Sequence, residues 1–192
     1  KLNLVNDLNK KLYPTKLSNK IKVHYVDHHE SHIASAFYPS GFSSAVGLSV
    51  DGFGDFCSLA ISKCNKSGIK IVNRVFFPDS LGIFYEAFTQ FLGFKNYGDE
   101  YKIMGLSSYG SPIYYDLIKR NLFKDNKSFK LNLKFFNHIN KNYKYNFNGY
   151  PKQKTIFKDN IKKLFTFQNS NELKTLKFKK DLAASIQKIF EE

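Results

Sequence analysis

Asp27 to His32 read DHHESH, three histidines and two carboxylates in six residues of a chain with five histidines in all. Such side chains can hold a metal ion, relay a proton or decorate a helix start. With Asp27 as N-cap and Glu30 three residues later, the stretch reads as a capping box opening a helix. His28 and His32 then stand one turn apart on one face, where two imidazoles can converge on a single ion. The partial positive charge of a helix N-terminus disfavours imidazolium and keeps the rings neutral and able to ligate. His29 points elsewhere on the same helix. The zinc-protease pattern His-Glu-x-x-His fails in both registers: from His29 the second histidine arrives one residue early, and from His28 the next residue is His. A helix start without any ion also fits the pair, so further ligands decide.

A third ligand is available at Asp51, in SSAVGLSVDGFGD. Two histidines and a carboxylate form a facial set that suits Fe(II) and leaves positions open, although Zn, Mn or Co also accept these donors. Asp51 falls at the end of a small-residue, β-branched run that reads as a buried strand. DGFGD after it reads as a turn. Gly52 and Gly54 either shape a hairpin or let backbone N–H groups approach a phosphate, and the residues alone fit both.

The elements that would position these groups follow in order. Ile21–Val26 reads as a short strand, and the helix from His28 stops before Pro39 and Gly41. After the strand carrying Asp51, FCSLAISKC and IKIVNRVFF read as two more strands joined by NKSG, giving a three-stranded meander. Ser80 caps a helix, LGIFYEAFTQFLGF, with Glu86 and Gln90 along one face. NYGDEYKIMGLSSYG reads as a loop and short helix closed by Gly110 and Pro112. Residues 113–180 are rich in Lys, Asn, Phe and Tyr with weak periodicity; YDLIKRNLF suggests a helix and FKLNLKFF a strand. KKDLAASIQKIFEE is an amphipathic helix, with Leu182, Ile186 and Ile189 at helical spacing.

The chain has 192 residues, 42% hydrophobic and 17% aromatic, a globular composition able to bury a core. No apolar run reaches the roughly 18 residues of a membrane span, and KLNLVNDLNKKLYP lacks the features of a secretory leader. The net charge of +14 is uneven: residues 1–110 carry 12 basic and 9 acidic groups, and residues 111–192 carry 18 and 7. Arginine occurs only at 74 and 120, whereas base readout favours it, so a solvated lysine surface is expected and nucleic acid is not. Cys57 and Cys64 lie seven apart, an odd separation that puts them on opposite faces of one strand. No disulfide and a reducing cytoplasm are expected.

With these pieces in order, the chain resembles the carbamoyltransferase family that includes nodulation and antibiotic-tailoring O-carbamoyltransferases. The likeness rests on DHHESHIASAFYPSGFSSAVGLSVDGFGD and SLGIFYEAFTQFLGFKNYGDEYKIMGLSSYG, which cover most of residues 27–110. DLAASIQKIFEE is similar to the helix leading towards the family's second lobe. The resemblance implies an α/β fold: part of an actin-like, sugar-kinase-like (ribonuclease-H-like) lobe, a mixed sheet with flanking helices, related to the tRNA threonylcarbamoyladenosine-forming enzymes. It implies ATP and carbamoyl phosphate as substrates, with Mg, a carbamoyl adenylate with release of pyrophosphate, and transfer to a hydroxyl of a sugar or secondary metabolite. It matches His28 and His32 to the HxxxH metal motif and Asp51 to the aspartate of the following DG turn, with iron the implied metal. It also puts Lys102 in a family motif, where it would stabilise an anionic substrate.

The family's upstream His-Asp strand, its Gly-rich second lobe and its C-terminal domain have no counterpart here. The expectation is therefore an internal piece of an enzyme, inactive alone, with those regions as its partners. It divides into a metal-motif core at 1–110, a basic variable insertion at 111–180 and a leading helix at 181–192. Two other functions compete: a non-catalytic scaffold whose lysine-rich half holds an anionic partner, and a threonylcarbamoyl-transfer relative acting on tRNA.

Overall fold

The computed structural model describes residues 24–124, 130–140, 145–146, 152–165 and 171–192. The first element among the described residues is helix α1, His28–Phe37, and the Asp27 side chain accepts the Glu30 N–H at 2.9 Å. That is one half of the expected capping box; Asp27 also meets Arg74 Nη1 at 3.1 Å. The expected strand at 21–26 is not formed where it is described, since residues 24–26 are irregular; residues 21–23 lie outside the described residues.

Strands β1 (Ser44–Gly54), β2 (Cys57–Asn65) and β3 (Gly68–Phe76) form the meander, in the order β1-β2-β3. Both pairings are antiparallel, as is that of the two-residue strands β4 (Tyr145–Asn146) and β5 (Lys152–Gln153). The expected mixed sheet is thus antiparallel throughout the described strands. The physical reason in the meander is the connections: two-residue loops join β1 to β2 and β2 to β3, and only an antiparallel pair can be closed so tightly.

The turn also sits later than its glycines suggest. Residues 51–54 continue β1, and the reversal is made by Asp55 and Phe56, at φ 52° and 61°, between the paired Gly54 and Cys57. Two successive positive φ values are the type I′ geometry that matches strand twist. The glycines instead accompany a register shift between Val50 and Gly54, a bulge that bends the strand end.

Helix α1 covers one face of the sheet through Ile33, which packs with Ala60 and Cys64, and through Phe37. Cys57 and Cys64 are both buried and free. The larger core is built on α2 (Leu81–Phe91), α3 (Glu100–Ser107), α4 (Tyr115–Leu122), a single turn α5 (Asn160–Lys163) and α6 (Leu176–Glu191). Phe84, Phe88, Ile118, Leu122, Leu182 and Ile186 are fully buried there. Burying each aromatic or aliphatic side chain contributes about 1.5–3 kcal/mol. Leu131, Phe136, Ile156, Ile161 and Phe165 join the same cluster, so these described residues of the basic segment are packed into the core. The strand expected at FKLNLKFF is a 3-10 turn at Leu133–Phe135 flanked by single bridges, Phe123 to Leu131 and Phe136 to Phe157; Phe129 lies outside the described residues. No described helix is long and apolar enough to cross a membrane.

Candidate metal centre

Strand alternation sets a row of side chains beneath α1. Gly47 faces Ile33, Ser49 meets His29 and Asp51 meets His28, each two residues further along β1. His28 Nε2 lies 2.7 Å from Asp51 Oδ2, His32 Nε2 lies 3.1 Å from His28 Nε2, and His32 Nε2 lies 3.7 Å from Asp51 Oδ2. The three residues named from the sequence as metal ligands are therefore brought together, with all three ligand atoms within 4.8 Å of one another. Donors bonded at about 2.1 Å to one ion stand roughly 3.0–3.4 Å apart at octahedral to tetrahedral angles. The observed spacings bracket that range, so the donor set fits an ion with only small side-chain adjustment.

The surroundings hold this set in place. Asp55 Oδ2 accepts the His28 backbone N–H at 3.1 Å, tying the first turn of α1 to the hairpin. His29 is fully buried, and its Nε2 donates to Cys57 O at 2.9 Å while Nδ1 accepts from Ser49 Oγ at 2.8 Å. That histidine is an anchor pinning the helix to the sheet, in agreement with its separate direction on the helix. Gly54 backs onto the His28 ring: a Cβ there would lie 2.0 Å from Cδ2. The sequence signal for this contact was only the glycine itself.

Partial burial works to raise the Asp51 carboxyl, but the His28 hydrogen bond, the Gly52 N–H at 2.7 Å and the nearby imidazoles outweigh it and hold the group below the usual carboxylate range. An ionised carboxylate beside two imidazoles is the state a cation requires. His32 is exposed, and His28 and Asp51 are about one-third exposed, so the set opens to solvent on one side. The open side is a shallow groove lined by Val26, His28, Ser31, His32, Ser35 and Asp55.

Behind Asp51 lies a larger cavity of 760 Å3 between the end of β1 and helices α2, α3 and α6. Gly52 fronts it, with nothing within 4 Å of where its Cβ would stand, whereas Gly54 is committed to His28. Ser80 caps α2 at Ile83 N and donates to Gly52 O at 2.7 Å, stapling that helix to the strand end. Lys102 is not brought to the cluster. Its Nζ pairs with Asp99 at 2.6 Å and lies over the Phe94 ring, and the Asp99 hydrogen bond raises its pKa. The cavity, with Glu86 and Glu100 in its wall, was missed from the sequence, where Glu86 read only as a helix-face polar residue.

Comparison with known proteins gives a family match along nearly the whole chain: residues 3–192 fit the family described as carbamoyltransferase N-terminus. The chain is 43% identical over 114 residues to the uncharacterized protein sll1178 of Synechocystis, covering 58% of this chain and 18% of that protein. It is 43% identical over 95 residues to the nodulation protein NolNO of Sinorhizobium fredii, covering 47% and 13%. It is 44% identical over 91 residues to the nodulation protein NolO of Bradyrhizobium diazoefficiens, covering 45% and 16%. The chain thus spans less than one fifth of the length of each of these relatives.

Proposed function

The chain belongs to the carbamoyltransferase family, and from that premise we propose that it is the metal-binding part of an O-carbamoyltransferase of actin-like architecture. The full protein would use ATP and carbamoyl phosphate, with Mg, to form a carbamoyl adenylate and pass the carbamoyl group to a hydroxyl of a sugar or secondary metabolite. The observation that carries the reading is the convergence of His28, His32 and Asp51 on one point, within a chain of this family. These three residues would hold a divalent ion, with Fe(II) the first candidate and Zn or Mn accepted by the same donors. When bound, the ion supplies a Lewis acid and a template for phosphate oxygens.

The remaining work falls to the chain itself. Gly54 leaves the His28 ring the room it needs to stand beside Asp51. His29 and Asp55 fix α1 so that both ligating rings face the strand end. Gly52 keeps the cavity wall open beside Asp51, where backbone can approach a phosphate. Lys102 has three donors and uses one on Asp99, which leaves two for an anionic substrate.

Metal analysis of wild-type and His28→Ala/His32→Ala protein tests the ligands. The wild type is expected to retain about one equivalent of metal and the double variant almost none; equal metal content in both would sink the site. For the full-length protein, pyrophosphate release should require ATP and carbamoyl phosphate together, while the isolated chain should release none. Salt-sensitive RNA binding without that release would favour the tRNA-directed or scaffold alternatives instead.

A further inference from the structure

Arginine is scarce in this chain. The sequence carries 30 lysines and arginines, and only Arg74 and Arg120 are arginines. Arg120 is exposed on α4, whereas Arg74 is half-buried on β3, on the far side of β2 from the strand that carries Asp51. Arg74 Nη1 lies 3.1 Å from Oδ2 and 3.3 Å from Oδ1 of Asp27, a residue 47 positions earlier. Asp27 Oδ1 also accepts the Glu30 N–H that opens α1. A side chain of β3 thus grips the N-cap of the helix that carries His28 and His32.

The first turn of α1 depends on such polar holds, because the apolar contacts of this helix, Ile33 and Phe37, come more than a turn beyond His28. The other holds come from the β1–β2 side. Asp55 accepts the His28 N–H from the hairpin, and buried His29 meets Ser49 Oγ on β1 and Cys57 O on β2. Arg74 adds the hold from β3, and its Nη1 lies 3.9 Å from Cys57 Sγ on the way. The helix start is therefore held from all three strands of the meander. A guanidinium offers its N–H groups in a fixed plane, whereas an ammonium is a point charge on a flexible stem. Arg74 fixes a direction that lysine, the usual cation of this chain, would not. Direction matters here, since a constellation of donors works only when held to within about 0.5 Å.

We propose that Arg74 is a positioning residue for the metal centre: through Asp27 it sets the first turn of α1, and with it the place of the His28 and His32 rings, without touching the ion. This role deepens the metal reading and rests on it, while the clamp itself stands on the contact between Arg74 and Asp27.

Co(II) affinity of the whole chain, read by competition titration, tests it in wild type, Arg74→Gln, Asp27→Asn and the double variant. Asparagine caps a helix as well as aspartate does, so Asp27→Asn keeps an acceptor for the Glu30 N–H and removes the charge that meets Arg74. Each single variant is expected to bind Co(II) about fivefold more weakly. The double variant should be no weaker than either single one, because both break the same contact. Arg74→Lys should recover only part of the loss. Gly110→Ala, whose Cβ would press on α6 instead, should bind Co(II) as the wild type does, which separates positioning from a general loss of stability. Without metal, the His28 ring NMR signals should move in Arg74→Gln while circular dichroism stays close to wild type. Measurable but equal Co(II) affinity in wild type and Arg74→Gln, losses that add in the double variant, or unmoved His28 signals would overturn the proposal. A wild-type chain that binds no Co(II) would refute the metal reading instead, and the His28 signals would then decide the role of Arg74 alone.

Discussion

A methyl group at position 54 would sit 2.0 Å from Cδ2 and 2.3 Å from Nε2 of His28, inside the volume of the ring. The backbone there is ordinary extended strand, so the demand for glycine comes from close approach and not from conformation. Gly54→Ala must push the imidazole off its Asp51 contact. It is expected to weaken Co(II) or Zn(II) binding by at least tenfold in a competition titration, while circular dichroism stays close to wild type. Gly52→Ala is the control: its Cβ meets nothing within 4 Å, and metal affinity should change by less than about twofold. Equal effects at the two positions would mean that His28 tolerates displacement and that its present position does not define the ligand set. At this scale the clustering of His28, His32 and Asp51 was legible and its support was not. His28 and His32 share one helical turn, and Asp51 lies in the next strand, so spacing alone links them. The contacts of His28 with Gly54 and Asp55 join residues 26 and 27 apart through a bulge and a hairpin, and no local period reports that.

Helices with a cap and a sustained apolar period were readable in advance: Ser80 does cap α2, and Leu182, Ile186 and Ile189 are all buried on α6. The hairpin was misplaced because Gly is the usual bearer of positive φ, whereas here Asp55 and Phe56 take that role and the glycines serve a bulge and a ring contact. Residues 131–165 were opaque for another reason. Among the described residues, their core members sit singly on short turns and bridges, so burial there depends on the helices they meet and leaves no repeating pattern. Gly110 shows the same dependence between elements. It read as a helix closer, but α3 already ends at Ser107, and a Cβ on Gly110 would stand 2.1 Å from the Lys180 carbonyl oxygen in α6. Asp181, one residue on, accepts the Ser111 N–H at 2.9 Å and ties the two segments together. Because the obstruction is backbone and cannot rotate away, Gly110→Ala should separate this crossing and cost about 2–3 kcal/mol. Urea unfolding measures it, and a loss below about 0.5 kcal/mol would show that the crossing relaxes freely.

For the molecule as a whole, proton balance couples the cavity to stability. Glu86 titrates at an ordinary 4.5 when unfolded and at about 8 in the fold, raised by burial first and by Glu100 second. Between those values the native state holds a proton that the unfolded chain has released. The contribution is therefore complete below pH 4.5 and is lost as pH rises through about 8. The displacement amounts to roughly 5 kcal/mol at full extent, an order-of-magnitude figure. Other groups act in different windows. Asp27, Asp51 and Asp181 are held below the usual carboxylate value, so their stabilisation is lost only in stronger acid. His138 is lowered by burial among Phe53, Phe77 and Phe136, so its contribution is present above its ordinary 6.5 and falls away below it, with the opposite slope to Glu86. The wild-type curve mixes these signs, and the difference from Glu86→Gln isolates one of them. Glutamine cannot ionise, so the variant should match the wild type near pH 4.5 and become progressively more stable than it towards pH 8.5, by a few kcal/mol in urea unfolding. A difference that does not change with pH would mean that Glu86 is as well solvated in the fold as in the unfolded chain, and that the cavity imposes no cost on its charge.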